Sequence, residues 1–126
     1  MTLHFLGNVA ASRVAELVEG LSMPFEPFSL EFGTGEVWPN GVAVLLPRDQ
    51  PAALTRLHAR LGEAAGRLQL PVDDRPYRPH VTLARRARGA TPPSAGADLR
   101  WRVHGGYVLA RSLPGGAGYE VLHRFG

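Results

Sequence analysis

The sequence holds no cysteine and no lysine. The first absence excludes disulfides and thiolate metal sites and is compatible with a reducing compartment. The second leaves arginine as the source of all 14 basic side chains, within a formal net charge of +3. Arginine's planar fork of donors suits phosphate oxygens better than an ammonium does, so the excess leans toward anionic partners. Genome base composition can also replace Lys by Arg wholesale, which makes the clustering of Arg85, Arg86 and Arg88 more informative than the total. No apolar run approaches the length needed to span a bilayer, and no basic stretch followed by an apolar region opens the chain. The sequence therefore reads as a soluble, cytoplasmic protein. His-Glu-x-x-His, cysteine pairs and clustered carboxylates are missing too, so neither a metal nor a cofactor is expected. No glycine-rich loop opens a helix in the manner of nucleotide-phosphate sites. What remains is metal-free acid and base chemistry on an anion.

At 126 residues the chain is long enough for one domain, 1–126, with a real interior. Thr2 to Leu6 reads as a strand closed by Gly7-Asn8. Val14, Leu17, Val18 and Leu21 fall at helical spacing and predict an amphipathic helix over roughly 9–22, broken by Pro24 and Pro27. Phe28, Leu30 and Phe32 alternate with Ser29 and Glu31, as in a half-buried strand. Gly33 to Gly35 predicts a turn or bulge, Asn40-Gly41 a hairpin, and Val42 to Leu46 the return strand. A second helix starts at Asp49-Gln50-Pro51, with Asp49 as its cap and a buried stripe of Leu54, Leu57, Leu61, Ala65 and Leu68. Pro71 to Pro79 is a loop, as is 87–98. Leu99, Trp101 and Val103 alternate with Arg100, Arg102 and His104, giving one packed and one basic face. Tyr107 to Ser112 and Tyr119 to Phe125 complete the strands. The order describes an α+β protein with mostly antiparallel sheet.

The most informative stretch is Pro79-His80-Val81-Thr82-Leu83-Ala84-Arg85, echoed by Met1-Thr2-Leu3-His4-Phe5-Leu6-Gly7. Alternation in a strand points His80 and Thr82 the same way, about 6.6 Å apart, a spacing fit to hold one phosphate. A neutral imidazole can take a proton near pH 7, and a threonine hydroxyl can donate to a phosphate oxygen. In the echo, Thr2 stands where the other copy has Thr82, and no histidine stands two places ahead of it. His4 shares the face of Thr2 on a strand and is expected in the cleft or at its rim, orienting structure or substrate. His58 reads as a packed or rim residue of the second helix, while His104 and His123 carry no signal. Asp73 and Asp74 read as solvated loop carboxylates.

These strands, with Phe28-x-Leu30-x-Phe32 and the closing Tyr119-x-x-Leu122-x-x-Phe125, stand in the order of a known family. The chain resembles the 2H phosphoesterases, and within them the RNA 2',3'-cyclic phosphodiesterases, also called 2'-5' RNA ligases. That superfamily is marked by two His-x-Thr/Ser motifs on two pseudo-symmetric lobes of mostly antiparallel sheet, with flanking helices, around a shared cleft. The resemblance implies metal-free hydrolysis of a 2',3'-cyclic phosphate, on an RNA end or a nucleotide, to a 2'-phosphate. It casts His80 as the proton acceptor and Thr2 and Thr82 as the phosphate-binding hydroxyls. Arg78, Arg85, Arg86 and His4 are the candidate substrate contacts. Strict alternation puts Arg85 on the face opposite His80, so reaching the cleft requires a twist or bulge. The first motif's histidine, which protonates the leaving 3' oxygen, has no counterpart here. Family members also begin with a further strand and helix. The resemblance thus implies a shortened chain, impaired catalysis, and an uncovered sheet edge that favours self-association, with no obligate protein partner. The competing expectation is a catalytically degenerate module that binds RNA ends or nucleotides.

Overall fold

The computed structural model describes residues 1–91 and 99–126, so the 92–98 part of the expected 87–98 loop lies outside the described residues. Alternating apolar residues make a strand, β1 (Phe28–Val37), paired on one side with β2 (Ala43–Pro47) and on the other with β4 (Leu99–Val103). With β3 (Val81–Ala84) on the far side of β2, the four form an antiparallel sheet in the order β3-β2-β1-β4. Asn40-Gly41 does close the β1–β2 hairpin. Gly41 takes a left-handed φ of 83°, and its N–H bonds to the Trp38 carbonyl. β5 (Tyr107–Ser112) and β6 (Tyr119–Phe125) form a separate two-stranded sheet.

Two irregularities in the ladder reset which side chains share a face. Between Phe32 and Thr34, β1 gains one residue on β2, so Gly33 is the extra residue and alternation inverts across it. Between Thr82 and Ala84, β3 gains one residue on β2, so Leu83 is extra and alternation inverts again. The turn or bulge expected at Gly33–Gly35 is therefore a bulge inside one continuous strand.

Helix α1 (Val14–Gly20) is shorter than the expected 9–22, because Ala10 holds extended backbone and only a 3-10 turn, Ala11–Arg13, leads in. Helix α2 (Ala52–Arg67) buries Leu54, Leu57, Leu61, Ala64 and Ala65. Asp49 does not cap it. Pro51, with ψ of 143°, occupies the cap position and no side chain bonds there, so the first turn starts two residues later than the Asp49 reading requires. Leu54 is fully buried against Leu30 and Phe32 of β1, joined by Leu45, Val81 and Val103. One turn further on, Leu57 and Leu61 pack with Leu17 of α1, with Leu21 just after it, and with Phe125 of β6. α2 thus links both sheets. Tyr107 fastens the smaller one, its hydroxyl donating to the Leu21 carbonyl at 2.7 Å and accepting from the Met23 N–H at 3.0 Å. Along β4, Val103 packs against the first cluster, whereas Leu99 and Trp101 on the same face stay 54% and 42% exposed. No helix among the described residues is long and apolar enough to cross a membrane.

The expected strand over Thr2–Leu6 does not form. A strand needs a partner backbone for its N–H and C=O groups. This segment pairs with none among the described residues and is held by side chains instead. Leu3 contacts both hydrophobic clusters, and Leu6 and Val9 contact the second. His4 stacks on His58 of α2 at 4.0 Å, and His58 stacks in turn on Tyr77 at 3.9 Å. His4 Nε2 donates to the His58 carbonyl at 2.7 Å, and the Tyr77 hydroxyl donates to the Thr2 carbonyl at 3.1 Å. Burial lowers the pKa of His58, and the neighbouring His4 ring lowers it further.

Stability measurements test this packing at two points. Leu54→Ala should lower the unfolding free energy by about 2–5 kcal/mol, since Leu54 is fully enclosed and the helix and sheet cannot collapse onto the gap without losing other contacts. A urea titration that lowers the unfolding free energy by less than a fifth of that would place Leu54 outside the core. The His58 shift fixes a pH dependence. Its folded pKa lies below the unfolded value of about 6.5, so the unfolded chain binds the extra proton first. Stability should be full above pH 6.5 and decline as pH falls through the window between the two values. His58→Phe, which keeps the stack, should flatten that part of the urea midpoint-versus-pH curve; an unaltered slope would remove His58 as its source.

Candidate active site

With Leu30, Phe32, Leu45 and Val81 committed to the α2 side, the alternate positions share the opposite face of the sheet. The register carries that face across three strands: Glu36 of β1 stands opposite Val44 of β2, and Val44 opposite Thr82 of β3. Val44 is fully buried yet belongs to neither cluster on α2, as its place on the other face requires. His80, one residue before β3 and two before Thr82, falls on the face of Thr82. The expected pairing of His80 and Thr82 on one side of a strand thus has its backbone basis.

His80 is held in a definite state. Its Nδ1 lies 2.8 Å from the Arg78 carbonyl, which can only accept, so Nδ1 carries the proton and Nε2 keeps its lone pair in the neutral ring. The ring packs edge-on against Trp38 at 4.6 Å. Trp38 is gripped from two further sides. Its Nε1–H donates to Glu36 Oε2 at 2.9 Å, and the Arg78 guanidinium sits 4.9 Å from its ring centroid. Arg78 also reaches Glu36 at 3.5 Å. Arg78 therefore fixes His80 through its backbone and Trp38 through its side chain.

The loop before His80 is braced as well. Arg75 forks onto Asp73, and these hydrogen bonds, with that of the Arg75 N–H, hold the Asp73 carboxyl at about 2. Tyr77 follows, its phenol pushed up to about 12 by burial and its hydroxyl on the Thr2 carbonyl. Thr2 and His80 are thereby tied to the two ends of the segment Tyr77–His80. The hydroxyls of Thr2 and Thr82 make no hydrogen bond among the described residues, and both side chains are exposed.

The remaining candidates divide. The Leu83 bulge inverts alternation, so carrying it one residue past Ala84 puts Arg85 on the face of Thr82, the condition its expected role demanded. Arg86 adopts a left-handed φ of 56°, which costs an arginine about 1 kcal/mol, and the Ala87 N–H is strapped to the Gly41 carbonyl at 2.7 Å. His4 is not brought to His80. Its ring is stacked on α2 and its Nε2 is donated there, because without a strand nothing keeps it on the side of Thr2. Glu36 and Trp38 are site residues that sequence reading missed. Trp38 sits next to the predicted hairpin, but nothing local signals a partner some 40 residues away.

A family model described as the 2'-5' RNA ligase superfamily matches residues 1–112. An RNA 2',3'-cyclic phosphodiesterase of Thermus thermophilus is 44% identical over 68 residues, which cover 52% of this chain and 33% of that protein. One from Geobacillus stearothermophilus is 34% identical over 105 residues, covering 73% of this chain and 31% of that protein. The matched stretch is thus about a third of each curated relative's length. Among solved structures, E. coli LigT complexed with 3'-AMP superimposes with a TM-score of 0.80 at 27% identity, over 98% of this chain and 73% of that one. The model match takes in both Thr-Leu segments and the whole four-stranded sheet, and on that ground the chain belongs to the 2'-5' RNA ligase superfamily.

Proposed function

We propose that this chain hydrolyses the 2',3'-cyclic phosphate of an RNA end or a nucleotide to a 2'-phosphomonoester, without a metal ion. The observation that carries the reading is the hydrogen bond from His80 Nδ1 to the Arg78 carbonyl, which leaves Nε2 as a proton acceptor on the face that also bears Thr82. Water attacks phosphorus as Nε2 takes its proton, the bond from phosphorus to the 3' oxygen breaks, and that oxygen leaves with a proton. Thr2 and Thr82 donate their hydroxyls to the phosphate oxygens, and Arg78 and Arg85 supply positive charge beside them. The relatives' names, RNA 2',3'-cyclic phosphodiesterase, support the substrate class.

The test is turnover of a 2',3'-cyclic nucleotide in the presence of EDTA, with the product resolved by phosphorus NMR. The expected product is the 2'-phosphate, formed at a rate that chelation leaves unchanged. His80→Ala should remove about 10²-fold or more of it, and Thr82→Val about 10- to 100-fold, the worth of a hydrogen bond to a charged group. Undiminished activity in His80→Ala would sink the catalytic role. Binding of the nucleotide without turnover in any variant would favour a module that binds RNA ends.

A further inference from the structure

The sheet face that bears Thr82 does not end there. Across β1 the register places Arg100 of β4 opposite Glu31 and Arg102 opposite Ser29, and both pairs lie on the side away from α2. A hollow of about 490 Å³ opens at this end, lined by Pro27, Phe28, Ser29, Arg100 and Arg102. Its lining holds two guanidiniums, a hydroxyl and an apolar floor, and no carboxylate. Glu26, next to Pro27 in the chain, is occupied by Arg56 at 2.7 Å. Glu31 faces Arg100 from the adjoining hollow, which leaves Arg102 as the less compensated charge. Neither Arg100 nor Arg102 makes a hydrogen bond or ion pair among the described residues, and both are exposed.

Two exposed arginines about 6.6 Å apart along one strand match successive anions on a flexible chain better than one compact anion. Pro27 beside them offers a small apolar surface on which a base can rest, while the Phe28 side chain packs on the α2 side. Thr82 lies three strands away, about 14 Å across the sheet and a similar distance along it, so about 20 Å in all. That span exceeds a mononucleotide. We infer that Arg100 and Arg102, with the hollow they line, form a second subsite that holds the phosphodiester backbone of a single-stranded RNA several nucleotides upstream of the end lodged at His80 and Thr82. This rests on the RNA-end reading above. It makes an oligonucleotide, and not a cyclic mononucleotide, the better-held ligand.

The experiment is equilibrium binding of the full chain to a labelled single-stranded RNA decamer ending in a 3'-phosphate, across a salt series, with 3'-AMP measured in parallel. Arg100→Gln/Arg102→Gln should weaken the decamer at least tenfold at low salt and leave 3'-AMP unchanged. The slope of log affinity against log salt should become shallower by about 1.4, or by about 0.7 for Arg102→Gln alone, which serves if the double variant misfolds. Unchanged decamer affinity and slope would overturn the subsite, as would equal losses for both ligands or a decamer bound no better than 3'-AMP by the unaltered chain. Neither ligand is turned over here, so a failure of hydrolysis leaves this measurement standing. A failure of this measurement leaves the turnover test untouched.

Discussion

Burial of Leu30 and Phe32 against Leu54 commits one face of the four-stranded sheet to α2, and every other placement in the larger sheet depends on that commitment. Side chains in a strand alternate, so once these are inside, Ser29, Glu31 and their cross-strand partners must be outside. The rule alone would send Thr34 and Glu36 inward with Phe32. The extra residue at Gly33 prevents it, and the extra residue at Leu83 does the same for Arg85. Two bulges thus gather onto one face the polar residues that strict alternation would split between core and solvent.

The candidate site on that face is fixed in orientation. Arg78 takes part twice, its carbonyl setting the His80 tautomer and its guanidinium lying against Trp38, while Glu36 holds both Trp38 and Arg78. An imidazole with Nδ1 donated to a carbonyl presents only one nitrogen to a water molecule, which is the requirement for a directed proton acceptor. The N-terminal segment reaches the same region by another route, through the His4–His58–Tyr77 stack and the bond from Tyr77 to the Thr2 carbonyl. Side-chain stacking carries out the positioning that a strand pairing would otherwise supply.

Elements with a strong local period were legible from the sequence. β1 and the stripe of α2 follow from spacing, because each buries one face and the pattern records which, and the hairpin at Asn40-Gly41, β5 and β6 stand where turn residues and β-rich runs put them. That His80 and Thr82 fall on one side of the chain followed from alternation as well. What failed had no local cause. The Thr2–Leu6 pattern suits a strand, but strand formation depends on a partner backbone that the pattern cannot name. His4 then turned to α2, and Asp49 lost the cap position to Pro51 by two residues. The grip of Glu36 and Arg78 on Trp38 joins residues some 40 positions apart, beyond the reach of periodicity. The basic face of Arg100 and Arg102 was readable as alternation, whereas its sharing of one sheet face with Thr82 depends on the bulges.

Everything proposed for catalysis depends on His80 offering Nε2 as its free nitrogen, with Nδ1–H held by the Arg78 carbonyl. Nitrogen-15 NMR of the His80 ring reads that state without intermediaries, with the resonances assigned by comparison with His80→Ala and followed as the imidazole becomes neutral. The expected spectrum shows a protonated Nδ1 and a bare, pyridine-like Nε2 in the neutral form. A neutral ring protonated at Nε2 would contradict it.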